Sequence, residues 1–281
     1  MKKLLLLLVS LTLFTVILAG CGSNNENAEN NTNTEEDTEA LSEESLKIGV
    51  VSGPDEQNFE VVKELAAEDG LELELVSFSD YIMPNTALAE GEVDLNSYQH
   101  EPFLNEYNED HNTDLVPVFK TYLSAIGVYS NEIEDIEDTP EGATVGIPND
   151  PSNGSRALVL FEEAGLIKID EEARDSATPS DIVENERNLE FTELEAAQLP
   201  TMLDEVDLAV INGNFAVLNG LDPSEDTIYL ESSDSPYVNV VVAREENKDD
   251  PVIDQIKEYY QSDEVKEFML DEYDGADQPA W

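Results

Sequence analysis

From Leu46 onward two kinds of apolar run take turns, and this alternation narrows the folds open to the chain more than any other feature. Lys47-Ile48-Gly49-Val50-Val51 reads as a strand and Ser52-Gly53-Pro54-Asp55 as a turn and cap. Asn58 to Glu68 has helical spacing at Phe59, Val62 and Leu65-Ala66, and Gly70 closes it. Leu71 to Phe78 alternates as a strand, Asn85 to Glu90 is a short helix, and Val93-Asp94-Leu95 opens another strand. Glu101 to Glu109 reads as helix and Leu115 to Leu123 as strand. Such alternation predicts an α/β fold with a parallel-type sheet covered on both faces. Past Ile126 the pattern restarts. Ala143 to Ile147 and Asp207 to Ile211 read as strands, with helices at Ser155 to Gly165, Ala196 to Glu205 and Asn214 to Leu218. Strands at Thr227 to Leu230 and Val238 to Ala243 and helices at Asp250 to Gln261 and Ser262 to Glu272 complete the chain. The restart predicts two lobes, residues 46–124 with 237–281 and residues 125–236, crossing at Tyr122 to Val128 and Ser235 to Val240.

The chain before Leu46 reads differently. Lys2 and Lys3 precede an apolar run from Leu4 to Leu18, the pattern of a secretory signal peptide over residues 1–20 and too short for a membrane span. Leu18-Ala19-Gly20-Cys21 resembles a bacterial lipobox, and Cys21 is the only cysteine, so it is expected to carry lipid rather than form a disulfide. Gly22 to Ser45 is dominated by Asn, Glu and Thr and is expected to be a disordered acidic tether to the membrane.

Charge excludes one class of partner. The chain carries 13 Lys and Arg against 65 Asp and Glu, a net charge of −52 that loss of the signal would make more negative still. That surface repels phosphate backbones and argues against nucleic acid binding. It fits a high-salt habitat, where charges are screened within about 3 Å at 1 M. Catalytic equipment is sparse: the two histidines are His100 and His111, no Gly-x-Ser-x-Gly elbow occurs, and no pair has zinc spacing. No metal, cofactor or enzymatic activity is expected.

One stretch stands out, A-T-V-G-I-P-N-D-P-S-N-G-S-R-A-L-V-L-F at Ala143 to Phe161. It runs from a strand through a turn-rich loop into a helix whose first turn is expected to hold Arg156. Ligands bind at such places in open α/β sheets, and the helix terminus favours an anion. The chain has only four arginines, so Arg156 in this loop is a candidate to grip a carboxylate. Aromatic and amide residues gather at other strand ends, in Phe78 to Asn85, Asn96 to Leu104, at Tyr122, in Ile211 to Ala216 and in Asp234 to Asn239. Apolar walls with a few placed polar groups describe a small-molecule site.

At these residues the chain resembles the MetQ/NlpA lipoprotein family, the substrate-binding component of the bacterial methionine ABC importer. The motifs are F-x-D-Y-x-x-P-N at Phe78 to Asn85, Q-H-x-P-F-L at Gln99 to Leu104 and G-I-P-N-D-P-S-N at Gly146 to Asn153 with Arg156. D-L-A-V-I-N-G-N at Asp207 to Asn214 and D-S-P-Y-V-N at Asp234 to Asn239 complete the set. The resemblance implies a type II periplasmic-binding-protein fold, two parallel-type sheets joined by hinge crossings. It implies that Arg156 binds the ligand carboxylate and that Asn212 and Asn239 hold its amino and carboxylate groups. Phe78, Tyr81, His100, Phe103 and Tyr122 would surround the thioether. Phe103 and Phe215 stand where many members have Tyr, and Ser124 where some carry an aromatic. The implied partners are methionine, a methionine permease with its ATPase, and the membrane through the lipid anchor, with the protein a monomer. D-Methionine, a methionine dipeptide or another apolar amino acid is the alternative ligand; an acidic extracellular hydrolase is the alternative of another class.

Overall fold

The computed structural model describes residues 40–273 and 276–281. The signal peptide, Cys21 and the tether up to residue 39 lie outside the described residues. The chain opens with β1 (Ser45–Val51), α1 (Pro54–Glu68), β2 (Glu72–Phe78), α2 (Met83–Ala89), β3 (Leu95–His100), α3 (Glu101–His111) and β4 (Leu115–Lys120). A short β5 (Tyr122–Ser124) leads into β6 (Ile126–Tyr129), β7 (Thr144–Pro148), α4 (Pro151–Glu163), β8 (Lys168–Ile169) and β9 (Ile182–Glu184). Then come β10 (Glu190–Leu194), α5 (Leu199–Met202), β11 (Leu208–Asn212), α6 (Gly213–Leu218) and β12 (Tyr229–Leu230). The end is β13 (Asn239–Arg244), α7 (Pro251–Tyr260), α8 (Asp263–Glu272) and β14 (Asp277–Pro279).

Two five-stranded sheets result, ordered β2-β1-β3-β13-β4 and β10-β7-β11-β6-β12. We call the first, with its helices, lobe 1 and the second lobe 2. The sheets are mixed rather than wholly parallel. β1, β2 and β3 are parallel neighbours, but β13 runs antiparallel to both β3 and β4. In lobe 2, β6 is antiparallel to β11 and β12. The reason is connectivity: β6 and β13 enter their sheets from the other lobe, without the crossover helix that makes neighbours parallel.

Each lobe closes its own core. Ile48 and Val50 of β1 pack with Phe59 and Val62 of α1 and with Val252 and Ile256 of α7. Val145, Ile147 and Val210 pack with Leu158 and Phe161 of α4. Pro54 opens α1 at a position where a missing N–H costs nothing, and the chain leaves that helix through Gly70 at φ +89°. Residues 41–45, expected to belong to the tether, are part of the fold. Leu41 is buried in the lobe 1 core, its N–H bonded to Asp250 Oδ2 at 2.9 Å, and Ser45 already belongs to β1.

Register places the residues that matter. β13 sets Asn239 opposite His100, and β6 sets Ile126 opposite Asn212. The ends of strands from both lobes, and the segment that joins them, therefore meet at one place.

Candidate functional site

Helix α4 begins earlier than its sequence suggests. Asp150 is its cap, accepting the Asn153 N–H at 2.9 Å, with Pro151 in the first turn. Arg156 thus sits in the second turn, not the first. The terminus is not an open anion site either. Asp150 takes one N–H, and Glu106 of α3 reaches across from lobe 1 to accept another, from Ser152, at 3.1 Å. Burial, and then the nearby Asp150 carboxylate, push the Glu106 carboxyl up to about 7.

Arg156 points into the interior. Its Nε donates to Glu231 Oε1 at 2.8 Å and its Nη2 to the Ser124 carbonyl at 3.0 Å and to Glu231 Oε2. Arginine and glutamate are 4% and 9% exposed, so the fork–fork pair is out of water. Glu231 is further held by the Ile126 N–H and the Ser235 hydroxyl. The Tyr237 ring lies 4.6 Å from the guanidinium carbon. Nη1 has no hydrogen bond among the described residues.

His100 ends β3 and caps α3. Its Nδ1 accepts the Phe103 N–H at 3.2 Å, which leaves the proton on Nε2 to face Asn153 Oδ1 at 3.2 Å. Burial, then the Arg156 charge, push its pKa down to about 3, so the ring is neutral. Asn153 Oδ1 also accepts from Asn212 Nδ2 at 2.9 Å, while Asn153 Nδ2 donates to Asp150 at 2.9 Å. With its amide fixed at both ends, Asn153 orients both His100 and Asn212. From lobe 1, the Tyr81 hydroxyl donates to Asn214 Oδ1 of lobe 2 at 2.6 Å. Tyr81 also packs against Phe215 and Phe103, with centroids 4.8 and 5.9 Å away. Gly213 lets α6 come close to the hinge; a Cβ there would lie 2.8 Å from the Ala125 carbonyl oxygen.

These groups enclose one cavity between the lobes. Of the residues expected to bind ligand, Tyr81, His100, Phe103, Arg156, Asn212 and Asn239 line it. Phe78 and Tyr122 do not. Phe78 packs in the α2–α3 core of lobe 1, with Leu88, Val93 and Leu104. Tyr122 is fully buried in the main core of lobe 1, and its hydroxyl goes to Asp55 Oδ1 at 2.7 Å. Asn153, Asn214, Tyr98 and Gln99 also line the cavity, the first two and Gln99 within the quoted motifs, and so does Ser124, which stands where some family members carry an aromatic. Neighbouring motif residues hold the frame instead. Asp80 accepts two N–H groups of the loop before α2, and Asn85, Asn96 and Gln99 form a buried amide network beneath β3. The free space in the cavity is about 20 Å³ at the scale of water centres, room for one water. Outside the Tyr81–Phe103 wall lies an acidic chamber of about 260 Å³, with Glu106, Asp110, Asp150 and Glu195 at its edges.

Residues 46–281 match the NlpA lipoprotein family. The chain belongs to that family. It is 40% identical over 270 residues to the D-methionine-binding lipoprotein MetQ of Salmonella typhi, covering 95% of this chain and 94% of that one. It is 41% identical over 239 residues to the protein of the same name from Escherichia coli K12, covering 84% and 88%. Among solved structures, a nutrient-binding protein from Burkholderia cenocepacia bound to methionine superimposes with a TM-score of 0.83 at 42% identity, covering 84% of this chain and all of that one. The MetQ/NlpA resemblance read from the motifs holds, and the two-lobed binding-protein fold is that of these NlpA-family relatives.

Proposed function

We propose that this chain is a lipid-anchored receptor that captures methionine outside the cell and delivers it to an ABC importer. The observation that carries the reading is the set of hydrogen-bonding atoms left over in the cavity. Asn214 Nδ2 is a buried donor and Asn212 Oδ1 a buried acceptor without partners, the Ser124 hydroxyl of the cavity is a third such group, and Arg156 Nη1 makes no hydrogen bond among the described residues. A buried polar atom without a partner costs about 1–3 kcal/mol, so the cavity favours a ligand that brings both donors and acceptors. An amino-acid zwitterion does so. Its carboxylate meets the Arg156 and Asn214 donors, and its ammonium meets Asn212 Oδ1. Tyr81 and Phe103 then face the side chain, and aromatic edges suit a thioether. The relatives named for D-methionine and solved with methionine support the same ligand.

The site binds and does not turn over. His100 is neutral with both ring nitrogens engaged, and Arg156 is tied to Glu231, so neither is poised for proton transfer. The space left holds one water and not an amino acid, so this reading requires the lobes to part to admit ligand. Cys21, beyond the described residues, supplies the anchor, and the permease with its ATPase is the partner.

Calorimetry in molar KCl with L-methionine, D-methionine, glycyl-methionine and leucine tests the reading. Saturable binding of a methionine form is expected. Binding of leucine but of no methionine form would replace the ligand, and no binding by any of the four would overturn the proposal.

A further inference from the structure

A second set of buried polar groups flanks β5. Ser124 gives its carbonyl to Arg156, whereas Tyr122 gives its hydroxyl to Asp55 Oδ1. Asp55, in the first turn of α1, is 1% exposed, and Asp277, the first residue of β14, is 2% exposed. β14 pairs with β5 so that Asp277 lies opposite Ser124. The remaining oxygen of Asp55 has no partner among the described residues; Oδ2 of Asp277 has none at hydrogen-bond geometry, although the Ser124 hydroxyl opposite it lies near enough to favour its charged form. Tyr260, at the end of α7, is fully buried; its hydroxyl lies beside that of Thr121, each the other's nearest polar partner though short of hydrogen-bond geometry, and within the field of both carboxylates. Both amide atoms of Asn58, one turn from Asp55 on the same helix, have no partner among the described residues.

No lysine or arginine bonds either carboxylate among the described residues. Burial pushes both carboxyls up, Asp55 to about 8 with help from the Asp277 charge, and Asp277 to about 7. Waters could fill the missing hydrogen bonds, but they bring no counter-charge; a buried carboxylate pair keeps its charge only with one and otherwise takes up protons. The groups present are two carboxylates, an amide and hydroxyls. No cluster of three or more His, Cys, Asp or Glu side chains suited to a metal occurs among the described residues, so this is not a transition-metal centre. All-oxygen ligands suit a hard cation.

We propose that Asp55, Asn58, Thr121, Tyr260 and Asp277 bind one desolvated hard cation, Na⁺ or Ca²⁺. The cation neutralises the carboxylate pair and fastens β14 to α1 and α7. The site is independent of the methionine reading, because none of its five residues lines the interlobe cavity.

The test uses the full chain, stripped with EDTA in tetramethylammonium chloride at about 1 M, so that screening of the acidic surface stays constant. NaCl or CaCl₂ is then exchanged in at fixed ionic strength. The expected result is a saturable rise in Tm of roughly 5 °C or more once the cation exceeds its Kd about 100-fold. A response to sodium alone or to millimolar calcium tells the two apart. Asp277→Asn should abolish the rise while melting in tetramethylammonium no lower than the parent, since one of two repelling charges is gone. If that variant does not fold, crystals of the parent soaked in thallium(I) or barium decide the matter, through an anomalous peak about 3 Å from the Asp55 and Asp277 oxygens. The same Tm in all three salts, a rise that survives Asp277→Asn, or a map without that peak would each overturn the proposal and leave protons to neutralise the pair.

Discussion

The interlobe cavity and the Asp55–Asp277 cluster both consist of buried polar side chains with atoms to spare, yet their chemistry differs. The cavity mixes signs. It has a guanidinium already paired with Glu231, donors from Arg156 and Asn214, and an acceptor on Asn212. The cluster has two carboxylates and neutral groups, with no side-chain cation bonded to it. A mixed set with balanced charge is complemented by a zwitterion, and a set of oxygens in negative excess by a cation. The contrast teaches that counting unsatisfied atoms locates a site, while the signs of those atoms name its occupant. Both sites load on β5, the cavity through the Ser124 carbonyl and the cluster through the Tyr122 hydroxyl and through Asp277 opposite Ser124, so a substitution at Tyr122 touches the cluster alone.

The largest effect is expected at Arg156. Arg156→Ala removes the Nη1 donor, and methionine binding should weaken at least about 30-fold, at 1.4 kcal/mol per decade. The change also leaves Glu231 buried without its cation, at a cost of roughly 3–5 kcal/mol in stability. The double variant Arg156→Ala, Glu231→Gln should regain most of that stability and none of the affinity. Urea melts and calorimetry read the two quantities separately. If the double variant binds methionine as the parent does, the ligand carboxylate is held elsewhere and the mixed-sign description of the cavity fails.

A smaller effect is expected from His100. An unfolded imidazole titrates near 6.5 and this one at about 3, so unfolding takes up a proton between those values. Its contribution to stability is full above about pH 6.5 and is lost as pH falls toward 3. Between pH 7 and pH 5 the loss amounts to about 2 kcal/mol by that linkage. Glu106, raised to about 7, acts with the opposite sign, stabilising less as pH rises, so the His100 share must be read by difference. The stability of His100→Gln should fall less than that of the parent over this interval. Equal slopes would mean that the ring is not held neutral, and the Asn153 relay that orients Asn212 would lose its basis.

What the sequence made legible, and what it hid, follows the distance over which each feature is decided. Strand and helix alternation is local, so most elements of both lobes could be read from apolar period and turn residues. Arg156, His100, Asn212 and Asn239 stand at strand ends or in strand-to-helix segments that carry local motifs. The apolar period starts α4 only at Ser155, whereas Asp150 caps it and Pro151 opens it a turn earlier. Antiparallel β6 and β13 could not be read, since strand direction depends on which lobe the chain arrives from. Glu231 was hidden for another reason. It lies 75 residues from Arg156, one of 65 acids, and nothing in its neighbourhood marks it as the one that meets the guanidinium. The resemblance implies that Tyr122 meets the ligand's thioether. The Tyr122 hydroxyl is decided instead by α1, 67 residues earlier in the chain.

Tyr122→Phe gives the smallest and most discriminating effect. The hydroxyl donates to a buried carboxylate oxygen, and removing it leaves Asp55 Oδ1 without that donor while the ring keeps its place in the core. A hydrogen bond to a charged group contributes about 1.5–3 kcal/mol net, and less if Asp55 is partly protonated in the fold. A loss of roughly 1–2 kcal/mol in urea melts is therefore expected. Methionine affinity should stay within about 2-fold of the parent, a change of some 0.4 kcal/mol, because Tyr122 does not line the cavity. The cation-specific rise in Tm should persist, because the Asp55 oxygen free to face a cation is Oδ2, not the one bonded to Tyr122. A tenfold loss of affinity with unchanged stability would put Tyr122 against the ligand after all. The Ser124 carbonyl and the Tyr122 side chain would then serve a single site, and the separation drawn between cavity and cluster would not stand.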